Sequence, residues 1–279
     1  METTGMLFLC ATPIGNLEDI TLRVLRTLRE ADVIVCEDTR NSSKLLSRYA
    51  IRKPLRSFHD FSDDRAAQAI ADEVAAGKQV CFISDAGMPG VSDPGYELVR
   101  LFRERALPYT VLPGASAGLT ALVASGLPTD RFLFEGFLPR KSKDREVRLR
   151  RLDDEEATAL IYESPHRLCR TLDEFAARWP GREAACAREL SKRFEEVVRG
   201  SLEEVRDHFL AHEPRGEFVI ILGRAAALPE AEGEEAALAF ARLRIAEGAG
   251  LNQAAKEAAK AFGVAKRSLY QALSDERSR

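Results

Sequence analysis

Apolar positions in the first 125 residues fall into two alternating patterns, and the alternation predicts a layered α/β unit. Short apolar runs at 6–11, 32–36, 79–83 and 109–112 read as strands. Between and after them, at 20–30, 40–48, 63–76, 95–105 and 116–125, apolar residues return every three or four positions, the period of a half-buried helix. Asp19 is placed to cap the first helix and Gly77 to stop the third. Strands separated by helices pair in parallel with helices on both faces of the sheet. Such a sheet binds its ligands at the carboxyl ends of its strands.

A second alternating segment has strands expected near 132–135, 157–162, 184–187, 195–199 and 217–222, with helices near 165–177 and 202–211. That makes a second α/β lobe. The acidic stretch 228–235 contains Pro229 and Gly233 and no basic residue, so 227–236 reads as a solvated linker. The last segment is rich in Ala, Arg and Lys without a strand pattern. Apolar residues there recur at Ala258, Phe262, Val264, Leu269 and Ala272, with Gly263 at a turn, the spacing of a helix-turn-helix whose second helix opens with Lys266 and Arg267. The expected organisation is a first lobe at 1–125, a second at 126–226, the linker at 227–236 and a helical domain at 237–279.

The chain has 279 residues, enough for roughly two domains at about 150 residues each. Hydrophobic residues make up 45%, which supplies a core and excludes a disordered chain. Strand-like apolar runs such as 218–222 are only five residues long, far short of the roughly 20 a membrane helix needs. No basic residue precedes the apolar run at 6–11, so a secretory signal is not expected and the cytoplasm is the expected compartment. Five cysteines without a CxxC pair read as buried thiols, not as disulfides or zinc ligands, and no metal is expected. The net charge of −3 conceals two contrasts: seven basic against two acidic residues in 140–151, and eight against four in 241–279.

Each strand end of the first lobe runs into turn-forming residues, at Thr12-Pro13-Ile14-Gly15-Asn16, Glu37-Asp38-Thr39-Arg40, the twelve residues 84–95, and Pro113-Gly114-Ala115-Ser116. Glycine and proline there hold the main chain close to a ligand, although turns alone also require them. Four such loops in one lobe point to a pocket for a small cofactor. Neither GxGxxG after the first strand nor GxxxxGK[ST] occurs, which disfavours a nicotinamide or ATP site. A ligand held by main-chain amides and a ribose-binding carboxylate remains, with Asp85 the natural carboxylate.

Several strings together resemble one family. They are Thr12-Pro13-Ile14-Gly15-Asn16-Leu17-Glu18-Asp19-Ile20, Glu37-Asp38-Thr39-Arg40, Ser84-Asp85-Ala86-Gly87 with Ser92-Asp93-Pro94-Gly95, Pro113-Gly114-Ala115-Ser116-Ala117, Phe134-Glu135-Gly136-Phe137-Leu138-Pro139, Tyr162-Glu163-Ser164-Pro165-His166-Arg167 and Ala187-Arg188-Glu189-Leu190-Ser191-Lys192. In that order they resemble the small-subunit (16S) ribosomal RNA (cytidine-2′-O)-methyltransferases, a branch of the tetrapyrrole methylase superfamily. The resemblance implies two α/β lobes with a cofactor cleft between them, S-adenosylmethionine as cofactor, and methylation of a ribose 2′-hydroxyl of a cytidine in the decoding region. It also implies a homodimer acting on small-subunit ribosomal RNA, within an assembled subunit. Carried over string by string, it places Pro13, Asp85, Gly87, Met88, Ser116 and Ala117 at the cofactor, with Tyr162, Ala187 and Phe218 closing over it from the second lobe. Ser84-Asp85-Ala86 stands where the porphyrin-modifying branch has Gly-Asp-Pro, which fits the RNA branch.

A 2′-hydroxyl is a weak nucleophile and calls for a base or a cation nearby. Candidates are Asp38, His59, Asp60, Glu163, His166, Glu189 and Lys192, of which Asp38, Glu189 and Lys192 are expected to orient or activate the hydroxyl. Arg40, Arg167 and Arg188 are expected on phosphates, as are Lys266 and Arg267. The basic run is expected to begin in a loop at the mouth of the cleft and to bring Arg140, Lys141, Lys143 and Arg145 to the RNA. Each has a plainer reading: Asp38 as a helix cap, Glu189 with Lys192 as a surface pair, the basic run as a solvated helix face. Two other functions share the pattern, a methylase of small tetrapyrroles and a nucleic-acid-binding regulator that senses a metabolite.

Overall fold

The structure, a computed structural model, describes residues 5–58, 64–225, 230–246, 248–262 and 264–277. The chain forms two compact units, 1–225 and 226–279. The first unit contains two sheets. Sheet one holds β1 (Met6–Cys10), β2 (Val33–Cys36), β3 (Leu55–Ser57), β4 (Gln79–Ile83) and β5 (Tyr109–Leu112) in the order β3-β2-β4-β1-β5. All its pairings are parallel.

Side-chain alternation along these strands builds two cores. Cys10, Ile34, Cys36, Cys81 and Ile83 meet α1 (Leu22–Glu30) and α2 (Thr39–Arg48) on one face. Leu7, Leu9, Val35, Val80 and Phe82 meet α3 (Asp64–Ala75) and α4 (Tyr96–Glu104) on the other. The first crossover uses Thr21 as its helix cap, accepting from the Val24 N–H at 3.1 Å. Asp19, expected in that role, sits two residues earlier, in a short 3₁₀ turn. Gly77 ends α3 with φ +93°, a conformation that costs glycine little. The short strand β3 at the sheet edge was not expected; its three residues carry no apolar run long enough to announce it.

The chain crosses to the second sheet through α5 (Ala117–Ser125). By position α5 closes the first lobe, but Ala121 and Leu122 pack against Leu160, Ala185, Val219 and Ile221 of the second. That sheet holds β6 (Phe132–Phe137), β7 (Thr158–Glu163), β8 (Glu183–Arg188), β9 (Glu196–Ser201) and β10 (Phe218–Leu222) in the order β6-β7-β10-β8-β9. Only β6 and β7 are parallel; the other pairings are antiparallel. Its far face is covered by α6 (Ser142–Leu152), α7 (Pro165–Arg178) and α8 (Leu202–Ala211), packed on Ala159, Ile161, Cys186, Ile220 and Leu222. The basic run therefore lies mostly in a helix: Arg140 and Lys141 precede α6 and the remaining basic residues belong to it.

The terminal unit is a three-helix arrangement of α9 (Glu230–Ala246), α10 (Leu251–Phe262) and α11 (Lys266–Arg277). The expected linker is thus helical from Glu230 onward, because a run of Glu and Ala has strong helix propensity as well as solubility. Residues 226–229 and Gly263 lie outside the described residues. Ala237, Ala241, Ala254, Ala255 and Ala258 form the core with Leu269 and Leu273, their small side chains letting the helices approach closely. All five cysteines are free thiols, four of them buried. No helix among the described residues is long and apolar enough to cross a membrane.

Candidate active site

The carboxyl ends of β1 and β4 lie side by side, and their loops are tied together. Thr12 and Gly87 exchange two backbone hydrogen bonds of 2.8 and 3.0 Å, and the Thr12 hydroxyl donates to the Ser84 carbonyl at 3.2 Å. The chain leaving β5 passes β1 so closely that a Cβ on Gly114 would stand 2.7 Å from that of Ala11. These loops, the first turn of α5 and the facing ends of β7, β8 and β10 enclose a cavity of about 300 Å³. Its floor is apolar, built from Ile14, Ala117, Ala187, Leu190 and Val219. Carboxylates stand around it at Asp93, Glu163 and Glu217, and no lysine or arginine lines it among the described residues.

Tyr162 joins the two halves of this wall. Its hydroxyl accepts from the Gly118 backbone N–H at 3.1 Å, and its ring meets Phe134 and Phe137 edge-on at 5.0 and 5.6 Å. Burial pushes the phenol up from its ordinary value, so it stays protonated at neutral pH. Phe137 reaches the cavity because β6 carries a bulge between Phe134 and Gly136, with Gly136 at φ +62°.

The loop after β8 closes over the site in a strained conformation. Glu189 and Ser191 have φ of +49° and +68°, a left-handed geometry that costs on the order of 1–3 kcal/mol per residue outside glycine. A dense set of contacts holds it. The Lys192 ammonium lies 2.9 Å from Glu189 Oε1 and 2.9 Å from Glu217 Oε2, and the Glu217 N–H donates to Glu189 Oε1 at 3.0 Å. The Ser191 hydroxyl bonds to Asp19 from the loop after β1. Gly15 and Gly216 face this cluster: a Cβ on Gly15 would overlap Lys192, and one on Gly216, at φ +95°, would overlap the Glu189 carboxylate. Burial alone would raise the Glu189 carboxyl, but Lys192 and the Glu217 N–H outweigh it and leave it lowered. Lys192 is raised, because its two carboxylate partners outweigh the burial that opposes its charge.

A second cluster sits at the carboxyl end of β2. Asp38 caps α2, accepting from the Arg40 N–H at 2.8 Å, and pairs with the Arg40 guanidinium at 2.8 Å. Those contacts hold its carboxyl down at about 2. Asp85 accepts from the Asp38 N–H at 3.2 Å and from Asn41 Nδ2 at 2.8 Å. Asp85 therefore fixes the α2 loop and does not line the cavity, and neither does Pro13; Asp93, nine residues into the same long loop, lines it instead. Gly87, Met88, Ser116, Ala117, Tyr162, Ala187 and Phe218 all line it. Glu217 and Leu190 carried no pattern of their own, although Leu190 lies inside a string already singled out and Glu217 opens an expected strand.

The residues expected on RNA divide. Arg140, Lys141, Lys143, Lys266 and Arg267 are exposed. Arg145 is not free: its side chain is only 11% exposed and binds Glu174 at 2.7 Å and Thr171 at 3.0 Å. Arg167 binds the buried Glu163 and the Leu138 carbonyl, and Arg188 binds Glu196 and the Arg215 carbonyl. Among the other candidate bases, Glu163 is fully engaged with Arg167, Thr171 and its own neighbour's N–H, and His166 is exposed on α7. His59 and Asp60 lie outside the described residues.

Comparison with known proteins adds sequence relationship to this geometry. Residues 6–206 match the family Tetrapyrrole (Corrin/Porphyrin) Methylases. The chain is 41% identical to the ribosomal RNA small subunit methyltransferase I of Haemophilus influenzae, over 97% of this chain and 96% of that one. It is 45% identical to the protein of the same name from Mesorhizobium japonicum, over 96% and 90%. Among solved structures, the methyltransferase CobJ superposes with a TM-score of 0.62 at 22% identity, covering 81% of this chain and 96% of that one. Uroporphyrin-III C-methyltransferase from Thermus thermophilus, complexed with S-adenosyl homocysteine, superposes at 0.54 and 22%, covering 79% and 98%.

Proposed function

Because the chain belongs to the tetrapyrrole (corrin/porphyrin) methylase family and aligns almost end to end with ribosomal RNA small subunit methyltransferases I, we propose that it is an S-adenosylmethionine-dependent methyltransferase acting on small-subunit ribosomal RNA. The observation that carries this reading is the cavity, most of whose lining, Ile14, Gly87, Asp93, Ala117, Glu163, Ala187 and Leu190 among it, comes from the strings that carry the resemblance. When bound, S-adenosylmethionine supplies a methyl group on a sulfonium. The residues present suit such a ligand: Ala117, Ala187 and Gly87 leave room for it, Ile14 and Leu190 exclude water, and Asp93 and Glu217 favour a cation over an anion. Ser116, Ala117, Met88 and Phe218 would hold it from both lobes, with Tyr162 fixing the first turn of α5.

The acceptor in this reading is the 2′-hydroxyl of a cytidine in the decoding region, presented within an assembled small subunit. Rate then comes mainly from holding that oxygen in line and keeping water out. Asp38 and Glu189 are held too acidic to be strong bases near neutral pH, so they act by orienting groups, whereas the Lys192 ammonium favours the developing alkoxide. Arg40 and the exposed residues Arg140, Lys141, Lys143, Lys266 and Arg267 contact phosphates.

The protein works in the cytoplasm as a homodimer. Helix α5 carries no charged residue and only Thr120 and Ser125 as polar side chains, yet Leu119 and Val123 on its outer side are 50% and 75% exposed. Val111 on edge strand β5 is exposed as well. A helix without a polar face belongs in an interior, and a second copy of the chain provides it. The deciding experiment offers labelled S-adenosylmethionine with assembled small subunits, naked ribosomal RNA or uroporphyrinogen. Label in ribose 2′-O-methylcytidine of the subunit RNA is expected; label only in the porphyrinogen assigns the tetrapyrrole reaction, and label nowhere removes the enzymatic reading.

A further inference from the structure

We infer that the outer face of α1 and α2 is a docking surface for the phosphate backbone of the RNA substrate. The inference rests on the RNA reading above and adds a surface that the basic run had obscured. Arg23, Arg26 and Arg29 follow one another at three-residue spacing on α1, and Arg40, Lys44 and Arg48 at four-residue spacing on α2. All six are exposed, because the opposite faces of both helices are buried at Val24, Leu25 and Leu28 and at Leu45 and Leu46. The two rows are neighbours: both helices pack on the same face of sheet one, and the Arg29 guanidinium reaches the Tyr49 carbonyl just beyond α2 at 3.4 Å.

Charge pairing separates this face from the rest of the unit. The two helices carry six basic residues against one acidic, Glu30, a net of +5. On the other side of the same sheet α3 and α4 carry three basic against five acidic, a net of −2. There Arg100 pairs with Glu97 and Glu104, and Arg105, just past α4, with Asp72. Helix α6, the basic helix of the sequence, spends Arg145, Arg148 and Arg150 on Glu174, Glu135 and Glu146. Arg23, Arg26, Lys44 and Arg48 make no ion pair among the described residues, so their charge is available to an external polyanion. Position agrees, since α1 follows the loop after β1, whose Ile14 lines the cavity, and α2 starts at Asp38, whose N–H is held by Asp85 of the loop that also carries Gly87 and Asp93. The rows lead away from the site, as a backbone threaded past it requires.

The test is a fourfold reversal, R23E/R26E/K44E/R48E, in the full-length protein, with R100E/R103E on α4 as a control for charge alone. Binding of naked small-subunit ribosomal RNA is measured across a salt series, S-adenosylmethionine binding is measured in parallel, and methyl transfer to small subunits is followed at varied subunit concentration. The fourfold variant is expected to bind RNA at least about tenfold more weakly, with the slope of log affinity against log salt reduced by up to about 3, while cofactor affinity stays unchanged. KM for the subunit rises and kcat holds. An unchanged slope and KM, or an equal loss in the α4 control, overturns the docking surface. A wild-type protein that binds RNA but labels no subunit fails the functional reading instead, and the RNA-binding comparison still decides the surface. Should the fourfold variant lose cofactor binding, the neutral set R23Q/R26Q/K44Q/R48Q takes its place, with a comparable change in slope expected because the same four contacts are lost.

Discussion

The backbone N–H of Gly118 donates to the hydroxyl of Tyr162 at 3.1 Å, pinning the first turn of α5 to β7 of the second sheet at the wall of the cavity. The substitution Tyr162→Phe keeps the ring contacts with Phe134 and Phe137 and leaves that N–H without its acceptor. The expected cost is about 1 kcal/mol in stability, together with a several-fold weaker affinity for S-adenosylmethionine. Calorimetric titration with the cofactor and a thermal melt check the two effects separately.

Gly216→Ala strikes the site through its backbone. At φ +95° an added Cβ is both strained and in collision with the Glu189 carboxylate. A loss of about 1–3 kcal/mol by denaturant titration is expected, with weakened cofactor binding because Glu217 and Phe218 follow directly. Gly126→Ala is the comparison: its φ of +76° brings similar strain, but nothing stands within 4 Å of the new Cβ. It should cost less and leave the cofactor alone.

The Glu189–Lys192–Glu217 cluster sets a pH window. Glu189 is lowered in the folded protein, so its contribution exists above its unfolded value and is lost as pH falls through the folded value. Lys192 is raised, so its contribution exists below its unfolded value and is lost as pH rises through the folded one. Both operate around neutrality. The melting-temperature gap between wild type and Lys192→Met should therefore be widest near pH 7 and narrow in both acid and alkali, as a series of melts at graded pH will record.

Asp38 remains ionised down to about pH 2, so an acidic limb in the rate profile at higher pH must belong to another group. Asp38→Asn keeps an oxygen for the Arg40 N–H and removes the charge beside Arg40. Turnover is expected to fall about tenfold or more with cofactor affinity intact, since the residue orients and does not abstract. Single-turnover kinetics over a pH series would show the same profile at lower amplitude.

The double substitution Leu119→Glu/Val123→Lys places charge on the exposed apolar side of α5 without touching its buried residues. Sedimentation should then find a monomer where the unaltered chain sediments as a dimer. The melt should change little below the concentration at which the wild type itself dissociates.

Much of this was legible before the structure, for reasons that differ by residue. The buried strands of both sheets announce themselves as apolar runs, because a strand covered on both faces has no polar alternation to blur it. The cavity residues Gly87, Ser116, Ala117 and Ala187 were legible through loop chemistry and through the family resemblance. What sequence could not separate was one partner of a charge from another. Arg145 and Lys143 stand two positions apart in the same basic run, yet one is spent on Glu174 from another helix and the other faces solvent. Asp85 and Asp93 stand in one loop, and only the tertiary path decides which turns to the cavity and which to Asn41. The helical start at Glu230 was missed because acidic linkers and acidic helices share a composition.

The strand order of the second sheet has a consequence for how the chain is made. Its middle strand, β10, is the last of the ten to leave the ribosome, and until residues 218–222 arrive, β7 and β8 have no partner between them. A nascent chain therefore carries two open edges from the completion of β8 until β10 arrives, a hazard for pairing with other chains. Phe218 and Val219 also complete the cavity, so the pocket cannot exist in a fragment that ends before them. Cofactor binding becomes possible only after nearly the whole first unit has emerged, and a chain truncated by even its final strand has neither a finished sheet nor anything to methylate with.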